Sequence, residues 1–158
     1  MENRVGFGYD VHRLIEDIPF RLGGVDIDHH KGAIGHSDAD VLVHAICDAL
    51  LGAAALGDIG QHFPDTSEDF KGVNSLLLLE ETIRLLTKEG YNIGNIDSTI
   101  CLQSPKINPY IDNMRSALSM AMGIDKNKVS IKATTEEKLG FTGREEGISA
   151  HAVVLIWK

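Results

Sequence analysis

The sequence of 158 residues predicts a single α+β domain over residues 1–158, an α/β two-layer arrangement with a mixed β-sheet and helices packed on one face. Three observations predict it. Segments with strand character fall at residues 4–12, 20–27, 95–103, 129–134 and 147–157. Helical segments fall at residues 40–56 and 74–89, and a third opens at Asn108-Pro109 and ends near Gly123. The two kinds alternate along the chain, and a hydrophobic fraction of 43% in 158 residues suits one compact core.

The first strand alternates. Val5, Phe7, Tyr9 and Val11 leave one face; Gly6, Gly8, Asp10 and His12 leave the other. Residues 20–27 (FRLGGVDI) read as a second, short strand, and HHKGAIGHSDAD as a polar, glycine-containing loop. Ser37 or Asp38 is placed to cap the helix over residues 40–56, which is apolar on nearly all sides and therefore expected to be buried. Residues 57–72 form a long loop, a kind of segment that often carries function. The helix over residues 74–89 ends at Gly90. The third takes Asn108 as its cap and Pro109 as its first position. Residues 135–146 read as a polar loop joining the last two strands as a pair.

Composition narrows the function. The net charge of −8 argues against a nucleic-acid partner, which calls for a basic face. A small phosphorylated ligand remains compatible, given cations, helix N-termini or a few placed Lys and Arg. Cys47 and Cys101 form no C-x-x-C pattern and read as buried reduced thiols. No apolar run reaches the roughly 18 residues of a membrane span, so no membrane partner is expected. The chain shows no targeting segment, which points to a bacterial cytoplasm, or to a plastid stroma if a transit segment has been removed.

Asp10 and His12 sit two apart on a strand, so both side chains leave the same face. His44 lies on the buried helix, with Asp40 and Asp48 on its stripe at i−4 and i+4. Such groups are costly to bury without a partner. A zinc ion held by Asp10, His12 and His44 is one such partner, with Asp48 orienting a ligand from behind; a hydrogen-bonded histidine pair is the other. Three N/O ligands and an open position are the pattern of a catalytic zinc. Of the remaining histidines, His29 and His30 read as surface, His62 as structural or loop surface, and His151 as core or interface. His36, beside the metal helix, reads as a substrate contact. After the fourth strand, residues 132–138 (KATTEEK) offer hydroxyls, amides and lysine for phosphate oxygens, and a carboxylate for Mg²⁺. A solvated turn is the alternative. Residues 57–60 and 63–67 form a shaped loop that either binds hydroxyls or crosses the surface.

In order, the segments GYDVHR, GGV, HSDADVLVHAICDALLGAAALGDIGQHFPDT, FKG, GYNIGNID, QSPKI and KATTEEKLGFTGREEGI resemble the 2-C-methyl-D-erythritol 2,4-cyclodiphosphate synthase family almost end to end. The resemblance implies conversion of 4-diphosphocytidyl-2-C-methyl-D-erythritol 2-phosphate to the 2,4-cyclodiphosphate with release of CMP, in the non-mevalonate isoprenoid pathway. It implies a homotrimer with active sites between subunits, and a central cavity able to take an isoprenoid diphosphate. Carried over by position, Asp10, His12 and His44 are the zinc ligands, one ion per subunit. Glu137 resembles the ligand of a second divalent ion, Mg²⁺ or Mn²⁺, at the substrate diphosphate. His36 and Thr135 are similar to the residues that hold the reacting phosphates in line. Val11, Ser37, Thr134 and Glu136 fall within the substrate-binding segments. Asp58, Ile59 and Gly60, with Phe63, Pro64, Asp65, Thr66 and Ser67, match the erythritol-phosphate loops. Leu102, Gln103, Ser104, Pro105, Lys106, Ile107 and Asn108 match the segment that cradles cytidine. Phe141 and Arg144 match the trimer-facing end of the site, and Arg144 and Glu146 the central cavity. Two other classes of function are separable from this one: a zinc hydrolase using metal-bound water would give a linear phosphate, and a non-catalytic binder of isoprenoid diphosphates would give no product.

Overall fold

The structure, a computed structural model, describes residues 1–158. Seven strands are formed: β1 (Asn3–Glu16), β2 (Phe20–Leu22), β3 (Val25–Ile27), β4 (Lys31–Ile34), β5 (Asn92–Cys101), β6 (Val129–Thr134) and β7 (Gly147–Trp157). Five helices accompany them: α1 (Val41–Ala53), α2 (Ile59–His62), α3 (Ser75–Lys88), α4 (Ile111–Met122) and α5 (Gly140–Gly143). Five strands make one mixed sheet in the order β4-β1-β7-β5-β6, with only β5 and β6 parallel. That parallel pair needs a crossover, and α4 supplies it.

The α+β class holds, and several sequence expectations about its elements are corrected. Residues 20–27 are not one strand but the hairpin β2–β3, reversed at Gly23 and Gly24, whose φ values of +58° and +75° suit the tight turn of a two-residue hairpin. The expected loop after it contains β4, a four-residue edge strand too short to show alternation, which pairs with the end of β1 beyond His12. β7 does not pair with β6. It inserts between β1 and β5, and its nearly continuous burial on Gly147–Ala150 is that of a central strand. Residues 57–72 contain α2 and a 3₁₀ turn at Glu68–Phe70, and residues 135–146 contain α5.

Two caps also differ. Asp40, not Ser37 or Asp38, caps α1: its carboxylate accepts from Val43 N and also from Gly23 N (2.9 Å) and Gly24 N (2.7 Å), which pins the hairpin turn to the helix start. Asn108 lies inside a 3₁₀ turn with Pro109 rather than capping it. α4 ends at Gly123 in the left-handed conformation, as expected of a C-terminal glycine.

The core lies between the sheet and α1, whose apolar side chains are buried along its whole length. α1 rests on the glycine side of β1: a Cβ built at Gly6 or Gly8 would collide with the carbonyl oxygen of Ala49 or Ala45. The small, polar face of β1 is thus the covered one. The apolar face is bare, with Val5 68%, Phe7 63%, Tyr9 44% and Val11 43% exposed. Close seating of α1 on β1 sets His44 opposite Asp10 and His12.

Candidate metal centre and the cavity beside it

β1 delivers Asp10 and His12 to the helix side of the sheet, and α1 delivers His44 from above. The three ligand atoms converge: Asp10 Oδ2 lies 2.9 Å from His12 Nε2 and 3.0 Å from His44 Nδ1, and the two ring nitrogens are 3.2 Å apart. Ligand atoms about 2.0–2.1 Å from a tetrahedral zinc stand about 3.3 Å from one another, so the triangle fits a divalent cation with little adjustment. The donors are two imidazoles and a carboxylate, and all three side chains keep some exposure, so the triangle is not closed off from solvent. Burial opposes charge on Asp10, yet hydrogen bonds from His12 and His44 and their charges prevail and draw its pKa down to about 2. For His44, burial works against protonation, but the Asp10 carboxylate outweighs it and raises the pKa.

The far side of His44 is also engaged. Its Nε2 lies 2.9 Å from Ser75 Oγ and 3.0 Å from Ser37 Oγ. Ser75, fully buried at the first position of α3, donates its hydroxyl to the Asp38 carboxylate, which also accepts from Ser75 N at 3.0 Å. Asp48 does not orient a metal ligand as expected: its carboxylate accepts from Ile59 N at 2.7 Å and ties α2 to α1. Asp40 points away, into the hairpin turn.

A cavity of about 310 Å³ opens beside the triad. His12, His36, Ser37, His44, Ile59, Gly60, Phe63 and Asp65 line it, joined by Phe70 and Leu78, which the sequence reading did not single out. His36 Nε2 meets Ser67 O at 3.1 Å, so His36 is braced on the 57–72 loop. Asp58 caps α2, accepting from Gln61 N at 3.0 Å, while Pro64 and Thr66 are exposed on the loop. A second cavity, about 440 Å³, is lined by Val11 and His12 together with Phe141, Arg144 and Glu146. His12 borders both.

The remaining sequence-predicted residues gather elsewhere. Leu102 N donates to Thr134 O (3.0 Å), and Lys138 N to Gln103 Oε1 (3.1 Å), so residues 102–108 and 134–138 form one unit. Glu137 and Lys138 both adopt left-handed φ, at 52° and 64°, in this turn. Leu102 and Ile107 are buried, whereas Lys106, Asn108, Thr135, Glu136 and Glu137 are exposed, and Ser104 and Pro105 are half-buried. The sheet register aligns the two groups at the same end: Asp10 pairs with Ala150, Ala150 with Ile100, and Ile100 with Ala133. Three inter-strand steps separate β1 from β6, about 14 Å. Within one chain, Glu137 and Thr135 therefore do not join the triad around a shared phosphate.

His62 Nε2 bonds Leu56 O at 2.8 Å, a structural role. His30 is exposed and His29 half-buried, and His151 lies tilted against Tyr9 (ring centroids 4.9 Å apart) on the open face of the sheet. Both cysteines are buried and unpaired. No helix is long and apolar enough to cross a membrane.

A model of the YgbB family matches residues 3–157. The chain is 59% identical over 156 residues to the 2-C-methyl-D-erythritol 2,4-cyclodiphosphate synthase of Bacteroides fragilis, covering 99% of this chain and 98% of that one. Among solved structures it resembles the bifunctional IspDF of Campylobacter jejuni (TM-score 0.95, 42% identity), over 98% of this chain and 42% of that one. It also resembles a CDP-bound 2C-methyl-D-erythritol-2,4-cyclodiphosphate synthase (TM-score 0.90, 36% identity), over 98% of this chain and all of that one. The chain belongs to the YgbB family, together with the 2-C-methyl-D-erythritol 2,4-cyclodiphosphate synthases it resembles along its whole length.

Proposed function

We propose that the chain converts 4-diphosphocytidyl-2-C-methyl-D-erythritol 2-phosphate to 2-C-methyl-D-erythritol 2,4-cyclodiphosphate and CMP, as a phosphorus–oxygen lyase of the non-mevalonate isoprenoid precursor pathway. The observation that carries this reading is the open triad of Asp10, His12 and His44 beside a cavity, in a chain that matches the synthases end to end. The nucleophile is the substrate's own 2-phosphate, already anionic near neutral pH. One of its oxygens forms a bond to the β-phosphorus. The bond from that phosphorus to the bridging oxygen breaks, and CMP leaves with the electron pair. No protein base is required, so the work left to the chain is positioning and charge neutralisation.

The assigned roles follow. Asp10, His12 and His44 would hold zinc and Glu137 a Mg²⁺ or Mn²⁺ ion, which would supply positive charge for the phosphate oxygens. His36, braced on Ser67 O, holds one reacting phosphate in line, and the Thr135 hydroxyl holds the other. The wall formed by Ile59, Gly60, Phe63 and Asp65 encloses the erythritol moiety. Residues 102–108 cradle the cytidine. The separation of about 14 Å between β1 and β6 supports a site completed by a second copy, with the triad from one subunit and Glu137 and Thr135 from its neighbour in a homotrimer. The bare apolar face of β1 supports the same assembly. An isoprenoid diphosphate in the central cavity would have to compete for Arg144 with Glu146, which holds its guanidinium through two hydrogen bonds of 2.9 and 3.2 Å.

Phosphorus NMR of the products tests the reaction. A cyclic diphosphate together with CMP is expected. Linear phosphates would show a metal-dependent hydrolase instead, and no turnover by the metal-loaded protein would refute the reading. His44→Ala is expected to abolish turnover.

A further inference from the structure

We infer that Ser75 and Asp38 are positioning residues of the metal centre: a buried relay from the Asp38 carboxylate through the Ser75 hydroxyl holds the hydrogen of His44 on Nε2, so that Nδ1 is the nitrogen a cation takes. The inference rests on the proposal that Asp10, His12 and His44 hold a divalent cation.

An ionised carboxylate only accepts, so the proton between Ser75 Oγ and Asp38 Oδ1 belongs to the serine. With its only proton committed, Ser75 Oγ can offer His44 Nε2 only a lone pair, at 2.9 Å. The Nε2 atom must then carry the hydrogen. Nδ1 faces Asp10 and His12; it donates to the Asp10 carboxylate at 3.0 Å, and that proton is the one a cation at Nδ1 would displace while Nε2 keeps its hydrogen. Asp38 is itself held in place, accepting from Ser75 N (3.0 Å) and Asp40 N (3.2 Å). Ser75 is fully buried, so no water competes for its hydroxyl.

The relay has a second effect. Ser37 Oγ also lies 3.0 Å from His44 Nε2, and it borders the cavity. Because Ser75 provides the shorter contact and an acceptor of fixed sense, Ser37 is not needed to set the tautomer. Its hydroxyl also lies 3.4 Å from Ser75 Oγ, whose own proton is committed, so Ser37 donates into the relay. His12 has no comparable brace: no protein group hydrogen-bonds its Nδ1, and its ring rests against Gly35. The centre is anchored at one histidine, the one carried by the buried helix.

Zinc affinity measured by competition with a chromophoric chelator tests the inference on the full chain, using wild type, Ser75→Ala, Asp38→Asn and His44→Ala. The dissociation constant is expected to rise about 10- to 100-fold in Ser75→Ala, the effect usual for loss of a partner behind a metal-bound histidine, and to rise less in Asp38→Asn. Nitrogen–proton NMR of the zinc-loaded protein is expected to show a slowly exchanging His44 Nε2–H in wild type and a fast-exchanging one in Ser75→Ala. If Ser75→Ala does not fold, Ser75→Cys, of similar volume but with a poor acceptor, takes its place with the same expectations. Zinc affinity unchanged in the serine variants, with His44→Ala impaired, would overturn the relay while leaving the metal site standing. A wild type that binds no zinc would overturn the metal reading, and the relay with it.

Discussion

Gly8 decides whether the metal triad can exist. The residue sits between Gly6 and Asp10 on the covered face of β1, and α1 passes so close that a Cβ there would overlap the carbonyl oxygen of Ala45. Ala45 follows His44, so anything that lifts the helix at this point also lifts His44 from Asp10 and His12. The clash is with backbone, which cannot swing aside as a flexible side chain would. Gly8→Ala is expected to cost more than about 3 kcal/mol, above the usual range for overpacking a core. A lowered urea midpoint would show it, and a weakened zinc affinity in whatever fraction remains folded should accompany it. Residue-level features of this kind were partly legible in the sequence. The Asp-x-His pair follows from strand periodicity, and His44 from its place on a buried helix. The brace behind His44 was not legible, because Ser75 arrives from α3, 31 residues away, and only the packing of α3 on α1 brings it there.

The elements divide in the same way. Long segments could be read directly, α3 and β1 from their periodicity and α1 from an unbroken apolar run of helical length. β4 could not, because four edge residues take their conformation from the strand they pair with. The place of β7 could not either: alternation says that a strand forms, not which edges it joins. β5 and β6 carry a testable electrostatic contact of their own. On the face opposite the helices, Lys132 Nζ lies 2.5 Å from both carboxylate oxygens of Asp97, and that hydrogen bond is the main reason the Asp97 pKa falls below its ordinary 3.8. With the folded pKa below the unfolded one, the stabilisation is full above pH 3.8 and is lost as the pH falls through the folded value. Both side chains are about half exposed, so solvent screening keeps the contribution to no more than about 0.5 kcal/mol. Urea unfolding of Lys132→Met against wild type should show that small difference at pH 7 and a smaller one at pH 2. An unchanged gap at low pH would assign it to packing instead.

At the scale of the whole molecule, two features belong together: an apolar strand face without cover, and a set of proposed site residues divided between two regions at one end of the sheet. A second copy resolves both if its strands bury Val5, Phe7, Tyr9 and Val11 while its neighbour's triad meets its own Glu137 and Thr135. Phe7→Glu places a charge in the middle of that face and is expected to give monomers by sedimentation, with activity lost although the triad itself is intact. Mixing inactive variants is the more discriminating measurement. His44→Ala removes a function from the triad side, and Glu137→Ala from the other side. In a closed ring of three, each site takes its triad from one subunit and its Glu137 from the next. Any ring containing both variants then has one site in which the two intact halves meet, and random assembly from equal amounts leaves about a quarter of the wild-type sites working. Co-refolding the two variants should therefore restore about a quarter of wild-type turnover, where either alone gives none. Sites built within single chains would give no recovery at any mixing ratio.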